Sequence, residues 1–137
     1  MKLKSFTLII LAITIFSVGC GTSISLEGND WVLESYGTQG NLKTVLADTE
    51  VTATFNSADE QVTGSGGCNG YGGSYELEGS KLSIPGPLMS TMMSCGEEKD
   101  QQEQQIFIAL QSAESYQIDD GKLTINCGNT ILVFKQK

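Results

Sequence analysis

Alternating apolar and polar residues mark several short strands in the chain after residue 28. Trp31 and Leu33 fall on one face of the stretch 31–36, which is the period-two pattern of a half-buried strand. Val51, Ala53 and Phe55 alternate with threonines in the same way. The strands predicted from this pattern are 31–36, 51–55, 61–63, which follows a polar turn over 56–60, and 131–134.

Two segments of the chain are similar to each other and each predicts a hairpin. Segments 75–84 and 116–125 align without a gap and share a tyrosine, an acidic residue, a Lys-Leu pair and a final isoleucine. Each contains an acidic residue followed by glycine, Glu78-Gly79 and Asp120-Gly121, where the chain turns. Because a solenoid needs at least three repeats, we expect two similar hairpins within one sheet system.

A single helix is predicted over 97–113. Ile106, Phe107, Leu110 and Ala113 recur at the spacing of one helix face, and acidic residues occupy the first turn, where the helix dipole favours them. The apolar face of this helix should pack on the sheet. These patterns together predict an α+β fold that is mainly antiparallel β, with one amphipathic α-helix.

The N-terminal residues have the layout of an export signal. Lys2 and Lys4 precede an uncharged, mostly apolar run over 6–16, which is short for a membrane span and typical of a secretory signal peptide. The sequence Ser17-Val-Gly-Cys20 resembles the bacterial lipobox, although serine replaces the usual leucine. That resemblance implies cleavage before a lipidated Cys20, with ordinary secretion and an uncleaved anchor as alternatives.

This layout divides the chain into three parts. We expect a lipoprotein signal peptide over 1–19, a tether over 20–28 and a single domain over 29–137. The mature protein would be exported and anchored in a membrane of the cell envelope through Cys20.

The charged residues exclude several functions. All 8 basic residues are lysines, no histidine is present, and 16 acidic residues give a net charge of −8. Catalysis by Ser-His-Asp or Cys-His groups and metal sites that contain histidine are therefore impossible, and an acidic chain is a poor nucleic-acid binder. The paired acids, such as Glu97-Glu98 and Asp119-Asp120, are adjacent in sequence and indicate solvated turns or a helix start. We expect neither an enzyme nor a bound cofactor.

The stretch 64–75 is rich in glycine, but it does not match a phosphate-binding loop. Asn69 stands where the last glycine of a G-x-G-x-x-G motif belongs, and no helical pattern follows. We expect turns with positive φ and close approaches of backbone between strands.

Three cysteines follow Cys20, namely Cys68, Cys95 and Cys127. In an exported protein this number predicts one disulfide and one spare thiol, and the residues alone leave all three pairings open. Without histidine to activate it, a catalytic cysteine is disfavoured.

The segment 88–95 contains most of the methionines. Met89, Met92, Met93 and Cys95 are soft ligands that could suit Cu(I), but methionine more often fills gaps in a core. We expect a buried strand that leads into the helix, and no metal site.

Taken in order, the motifs resemble the META domain family, which includes the bacterial HslJ proteins, over about residues 29–135. The residues that carry this resemblance are Trp31, Leu33, Gly64, Gly67, Cys68, Asn69, Tyr71, Gly73, Tyr75, Thr91, Met93, Cys95, Glu103, Phe107, Leu110, Leu123, Leu132 and Phe134. The resemblance implies a curved antiparallel sheet or barrel-like structure with one helix. It also implies pairing of Cys68 with Cys95, while Cys127 lies outside the motif. Family members are often envelope lipoproteins linked to stress or antibiotic tolerance, and no catalytic activity defines them.

The expected function is therefore that of a non-enzymatic envelope lipoprotein that binds a partner or supports tolerance of envelope stress. The candidate binding loop contains Gly67, Asn69, Tyr71 and Tyr75. The partner would be an envelope protein. Two alternatives are a surface-tethered protease inhibitor and a carrier of a lipid or small hydrophobic ligand in a cavity lined by methionine and aromatic residues.

Overall fold

The computed structural model describes residues 23–137. The predicted signal peptide over 1–19 and the predicted lipidation site Cys20 lie outside the described residues. The helix is α1 (Glu97–Gln111), and the strands are β1 (Asp30–Thr38), β2 (Asn41–Thr44), β3 (Thr52–Asn56), β4 (Gln61–Ser65), β5 (Gly70–Ser74), β6 (Glu76–Glu78), β7 (Lys81–Ser83), β8 (Met89–Ser90), β9 (Ser115–Asp119), β10 (Lys122–Cys127) and β11 (Thr130–Gln136).

All strands belong to one antiparallel sheet that curls into a half barrel. Its strand order is β6-β7-β9-β10-β11-β1-β3-β4-β5-β8, and β2 pairs with the second half of β1. The prediction of a mainly antiparallel, curved sheet with one helix is confirmed. No helix of residues 23–137 is long and apolar enough to cross a membrane.

The first strand shows how the alternating pattern builds the core. Trp31 and Leu33 are both buried on the inner face, as predicted. The register with β11 is irregular between Leu33 and Ser35, and this bulge brings Tyr36 back into the core. Period-two alternation alone would have placed Tyr36 on the outer face.

The two similar segments form two hairpins that lie side by side. β6 and β7 pair at Glu78 and Lys81, and β9 and β10 pair at Asp119 and Lys122. The second turn has positive φ at both central residues, 49° at Asp120 and 73° at Gly121, as a two-residue hairpin of type I′ requires. Because β7 also pairs with β9, the prediction of two hairpins in one sheet system is confirmed.

The helix lies against the inner side of the curled sheet, next to β10 and β11. Ile106, Leu110 and Ala113 are buried as predicted, and Ala109 joins them. Phe107 was predicted on the same apolar face, but it is only half-buried because it packs at the edge of the core. Gln102 and Glu103 are also buried, so the first half of the helix turns a polar face inward.

Aromatic and branched aliphatic side chains fill the interior, and none of the buried core residues is a methionine. The methionines of 88–95 were predicted to form a buried strand, and this prediction is wrong. Their side chains are exposed by 74% at Met89, 95% at Met92 and 61% at Met93. Met89–Ser90 pairs with β5, and the Thr91 amide also donates to the Gly70 carbonyl of β5 at 3.2 Å. Beyond Thr91, the Met93 and Cys95 amides are bonded to the side chains of Asn69 and Asp100 instead of a strand.

The folded domain begins before residue 29. Leu26 is a core residue, and its carbonyl accepts a hydrogen bond of 2.9 Å from Trp31 Nε1. The Gly28 amide also donates to the Phe55 carbonyl at 3.1 Å. Residues 26–28, which were predicted to belong to a tether, are therefore part of the domain.

Candidate functional site

The carboxylate of Glu103 lies inside the domain and serves the glycine-rich turn. Its Oε2 accepts hydrogen bonds from the backbone amides of Cys68 at 3.0 Å and Asn69 at 2.6 Å. Its Oε1 accepts a third bond, of 2.5 Å, from Asn69 Nδ2. These three hydrogen bonds attach the glycine-rich turn to α1.

Asn69 extends this hydrogen-bond network to the segment 88–95, which contains the methionines. Its Oδ1 accepts hydrogen bonds from Thr91 Oγ1 and from the Met93 amide, both at 2.8 Å. Its Nδ2 also donates to the Met93 carbonyl at 3.0 Å. Asn69 therefore bonds both backbone polar groups of Met93 and fixes that residue's position.

A disulfide and an aspartate hold the same segment at its far end. Cys68 and Cys95 are bonded, so the pairing implied by the family resemblance is confirmed. Asp100 accepts hydrogen bonds from Ser94 Oγ at 2.5 Å and from the Cys95 amide at 2.8 Å. These two bonds hold the pKa of the Asp100 carboxyl below its usual value, so the group is ionised at neutral pH.

Two glycines are required for this close packing. A Cβ atom at Gly66 would lie 2.6 Å from Glu103 Oε2 and 2.7 Å from the Phe107 ring. One at Gly64 would lie 2.0 Å from the Thr52 carbonyl oxygen in the next strand. The predicted close backbone approaches are thus present, but positive φ occurs in the segment 64–75 only at Gly67, with φ 105°. Most of the segment is strand instead of turn.

The predicted binding loop does not expose its side chains. Asn69, Tyr71 and Tyr75 are buried, and only Gly67 of the four residues is half-exposed. The Tyr71 hydroxyl donates to the Thr52 carbonyl at 2.8 Å, and that of Tyr75 donates to Glu27. Burial is the main cause that raises the pKa of both phenols. The structure therefore corrects this prediction: these residues support the fold and are not available as surface contacts.

An open groove of about 480 Å³ lies beside this buried network. Its apolar lining comes from Met92 and Met93 on one side and from Phe107 and Ile108 of α1 on the other. Ile108 is 59% exposed. None of the residues that line the groove is basic, whereas Asp100 stands among them. We call this surface the methionine groove.

Sequence reasoning missed this groove for a definite reason. Ile108 lies on the opposite side of α1 from the predicted apolar face, so the pattern left it exposed but did not show that it would line a groove. The methionines were assigned to the interior because that is their usual place. The sequence contains one usable signal for the groove, because all three methionines after Met1 lie in a single short segment.

Cys127 is the spare thiol among the described residues, as predicted. Its side chain is buried, and this burial is the main cause that raises its pKa from 9.0 to about 12, with a further contribution from Glu114. The thiol is therefore protonated at neutral pH and unsuited to nucleophilic attack.

No group of three or more His, Cys, Asp or Glu side chains within residues 23–137 is placed to hold a metal ion. The soft-ligand set considered for Cu(I) also loses one member, because Cys95 is bonded to Cys68.

The fold and the groove together define a small half-barrel domain with one internal helix and an exposed apolar cleft. The META domain profile matches residues 24–137, so the chain belongs to the META domain family. Among curated proteins, none matches the chain.

Solved structures support the same fold. An NMR structure of a protein from Burkholderia xenovorans has a TM-score of 0.69 and 26% identity and covers 82% of this chain and 83% of its own. A second NMR structure has a TM-score of 0.63 and 22% identity, with 82% and 95% covered. A crystal structure of a DUF4847 family protein from Bacteroides vulgatus has a TM-score of 0.57 and 15% identity, with 80% and 93% covered. The last two show a likeness of fold alone.

Proposed function

We propose that this META domain is a non-enzymatic binding module of the cell envelope that is tethered to a membrane through a lipidated Cys20 and supports tolerance of envelope stress. The observation that carries the proposal is the methionine groove, an exposed apolar surface beside a network of buried hydrogen bonds. Its partner would be an envelope protein.

The exposed methionines support a binding role. Exposing three flexible apolar side chains within five residues gives up the stability that their burial would contribute. Methionine surfaces adapt to partners of different shape, and clustered apolar side chains on a small protein often mark an interaction site. The position of Met93 is held by Asn69, so the groove is formed before any partner arrives.

The buried polar groups support a structural rather than a catalytic use. Glu103 and Asn69 are occupied by bonds to each other and to the backbone. No buried side-chain nitrogen or oxygen among the described residues lacks a hydrogen-bond partner. These residues would have to give up internal bonds before they could act on a substrate.

The direction of β3 supports presentation of the groove away from the membrane. The N-terminal segment joins this strand at its end, where Gly28 bonds Phe55. The glycine-rich turn joins its start, where the Ser65 amide donates to Thr52 Oγ1 at 3.0 Å. The two ends of a strand of this length are roughly 14 Å apart. Asn69 and the groove thus lie toward the end of the sheet opposite the tether.

The proposed tether is short. The buried Leu26 lies six positions after Cys20, and a fully extended chain over six positions reaches at most about 22 Å. A lipid at Cys20 would therefore keep the domain close to the bilayer. The acidic charge of the domain would repel anionic headgroups, so the lipid has to supply the attachment.

The test is complementation of a deletion strain under envelope stress. We expect the wild-type chain to restore survival, and Ile108→Ser and Cys20→Ala each to fail although the protein is exported and folded. Leu42→Ser removes an apolar side chain that is 43% exposed on β2, away from the groove, and should restore survival fully. Restoration by Ile108→Ser equal to the wild type would contradict the role of the groove.

A second candidate is the surface-tethered protease inhibitor. The segment 91–95 is held at Thr91 and Met93 by Asn69 and at Cys95 by the disulfide. Met92, between the two residues that Asn69 holds, is 95% exposed. Rigid exposed loops of this kind suit inhibition. The domain in excess over a panel of serine proteases that cleave after apolar residues should then slow them while Met92 stays uncut. A panel that is unaffected would remove this candidate.

The carrier hypothesis loses support. It placed methionine and aromatic side chains around an internal cavity, but Trp31, Phe55 and Phe134 fill the interior and the methionines lie outside. The methionine groove is open to solvent and cannot enclose a lipid.

A further inference from the structure

We propose that the methionine groove binds a cationic, amphipathic polypeptide segment, which places apolar side chains between the methionines and α1 and a basic side chain near Asp100. This inference rests on the proposed function and names the chemical class of its partner.

The lining of the groove favours an occupant with apolar side chains. Met93 faces the helix residues Phe107 and Ile108 across the cleft, and Met92 continues the same surface outward. Phe107 is supported from behind by Tyr71, whose ring centroid lies 5.1 Å away. The cleft therefore has one firm aromatic wall and one flexible thioether wall, which suits insertion of leucine-like side chains.

The acidic residues at the start of α1 favour a basic group in the occupant of the groove. Asp100 lines the groove, its carboxyl is ionised at neutral pH, and no lining residue is basic. Glu97 and Glu98 are exposed in the same first turn of α1. Lys99 is the one basic residue of that turn and is outnumbered by the three acidic residues. A basic side chain entering at this end would therefore meet net negative charge.

The charge of the whole domain selects among possible occupants. Removing Lys2 and Lys4 from the 8 lysines leaves 6 against 16 acids, a net charge of about −10 for the chain after the predicted signal peptide. That charge repels a second copy of the domain and anionic lipid alike, and it attracts a cationic chain. A basic, apolar polypeptide is the occupant that both properties of the groove favour.

Polar side chains of α1 can serve the backbone of such a segment. Gln104 and Gln111 also line the groove and are exposed, with no bond to another side chain among the described residues. Their amide groups can both donate and accept hydrogen bonds, as the backbone of a bound peptide requires.

The test uses the exported chain over 21–137, which contains the complete core, and three fluorescent peptides of equal length. The first is an amphipathic helical peptide of leucine and lysine, the second replaces lysine with glutamate, and the third replaces leucine with serine. Fluorescence anisotropy should show binding of the first peptide, with the other two weaker by about tenfold or more. Raising the salt concentration should weaken the first peptide's binding.

Variants of the protein locate the binding. Met92→Ser and Ile108→Ser should each weaken the leucine–lysine peptide by about tenfold, since each removes one exposed apolar contact. Asp100→Asn should weaken it less and reduce its dependence on salt. Leu42→Ser is the matched control and should bind as the wild type does.

Three results would overturn the inference. Equal binding of the leucine–lysine and serine–lysine peptides would show attraction by charge alone, and tighter binding of the glutamate peptide would contradict the cationic class. Absence of binding by all three would also reject it. The complementation assay with Ile108→Ser does not depend on these peptides, so the proposed function would stand or fall separately.

Discussion

At the scale of single residues, Glu103 is the clearest case of a buried polar group that builds the site. Three hydrogen bonds connect it to Cys68 and Asn69, and Asn69 in turn holds Met93. The carboxylate is buried, so each lost bond leaves a buried donor without a partner. Unpaired buried donors destabilise the folded state, so the hydrogen bonds of Glu103 contribute to the stability of the domain.

Replacing Glu103 should therefore destabilise the domain strongly. Glu103→Ala leaves the amides of Cys68 and Asn69 unpaired, and we expect a loss of about 3 kcal/mol or more in the free energy of unfolding. Urea unfolding followed by tryptophan fluorescence measures this loss. Gln111→Ala, at an exposed position of the same helix, should change stability by less than about 0.5 kcal/mol. Equal stability of the two variants would contradict the account of the buried network.

Cys127 gives a prediction about pH. Its pKa is raised from 9.0 to about 12 in the folded domain, so above pH 9 the unfolded chain loses this proton first. Its contribution to stability is complete below pH 9 and falls as the pH rises toward 12, by up to about 1.4 kcal/mol per pH unit. Cys127→Ala should lose less stability over that interval than the wild type. Tyr71 and Tyr75 are present in both chains and cancel in the comparison.

The same burial predicts slow labelling of the thiol. Iodoacetamide at about pH 8 should leave native Cys127 unmodified and alkylate it once the chain is unfolded, as mass spectrometry can show. Rapid labelling of the native protein would mean that the thiol is accessible.

At the scale of secondary structure, the sequence predicted the elements whose burial alternates. β1, β3, β10 and β11 carry large apolar residues at every second position, and those residues became the core. β2 was missed because all four of its residues are exposed and no alternation exists. β5 was missed because glycine has no side chain to show which face is buried. The bulge in β1 leaves no signal in a local pattern.

The glycine-rich strands give a matched pair of variants. Gly64→Ala would bring a Cβ to 2.0 Å from the Thr52 carbonyl, whereas at Gly72 the nearest atom, Thr63 Cγ2, is 3.5 Å away. We expect Gly64→Ala to destabilise the domain by about 3 kcal/mol or more and Gly72→Ala to remain close to the wild type. Thermal melts of the two variants measure the difference. Similar melting temperatures would show that β3 and β4 can move apart freely.

The segment 91–95 is held twice, and the two attachments should be separable. Replacing both Cys68 and Cys95 with alanine removes a cross-link across 27 residues and should lower the free energy of unfolding by about 3.5 kcal/mol. The Met93 amide should still be protected from hydrogen exchange in that variant, because Asn69 accepts its bond. Asn69→Ala with the disulfide intact should lose that protection. Loss of protection in the double cysteine variant, with protection kept in Asn69→Ala, would show that the disulfide alone positions the segment.

At the scale of the whole molecule, the hydrogen-bonded interior is distinct from the exposed methionine groove, which we propose binds a partner. The motif residues that identify the META family led to the right region, since Cys68, Asn69 and Cys95 all adjoin the groove. The predicted pairing of Cys68 with Cys95 is correct. Asn69 was assigned the wrong role, because a sequence shows which residues are polar but not which of them are satisfied internally. Ile108 and Met92, which form the surface, became visible only once burial was known.

The central claim is that the methionine groove, and not the glycine-rich loop, makes contact with a partner. The most direct measurement is a titration of the ¹⁵N-labelled chain over 21–137 with the leucine–lysine peptide, followed by NMR. We predict amide shift changes concentrated at Met92, Met93, Gln104 and Phe107, with none in the β6–β7 hairpin. Shift changes centred on Tyr36 and Lys43, in the cleft on the other side of α1, would contradict it.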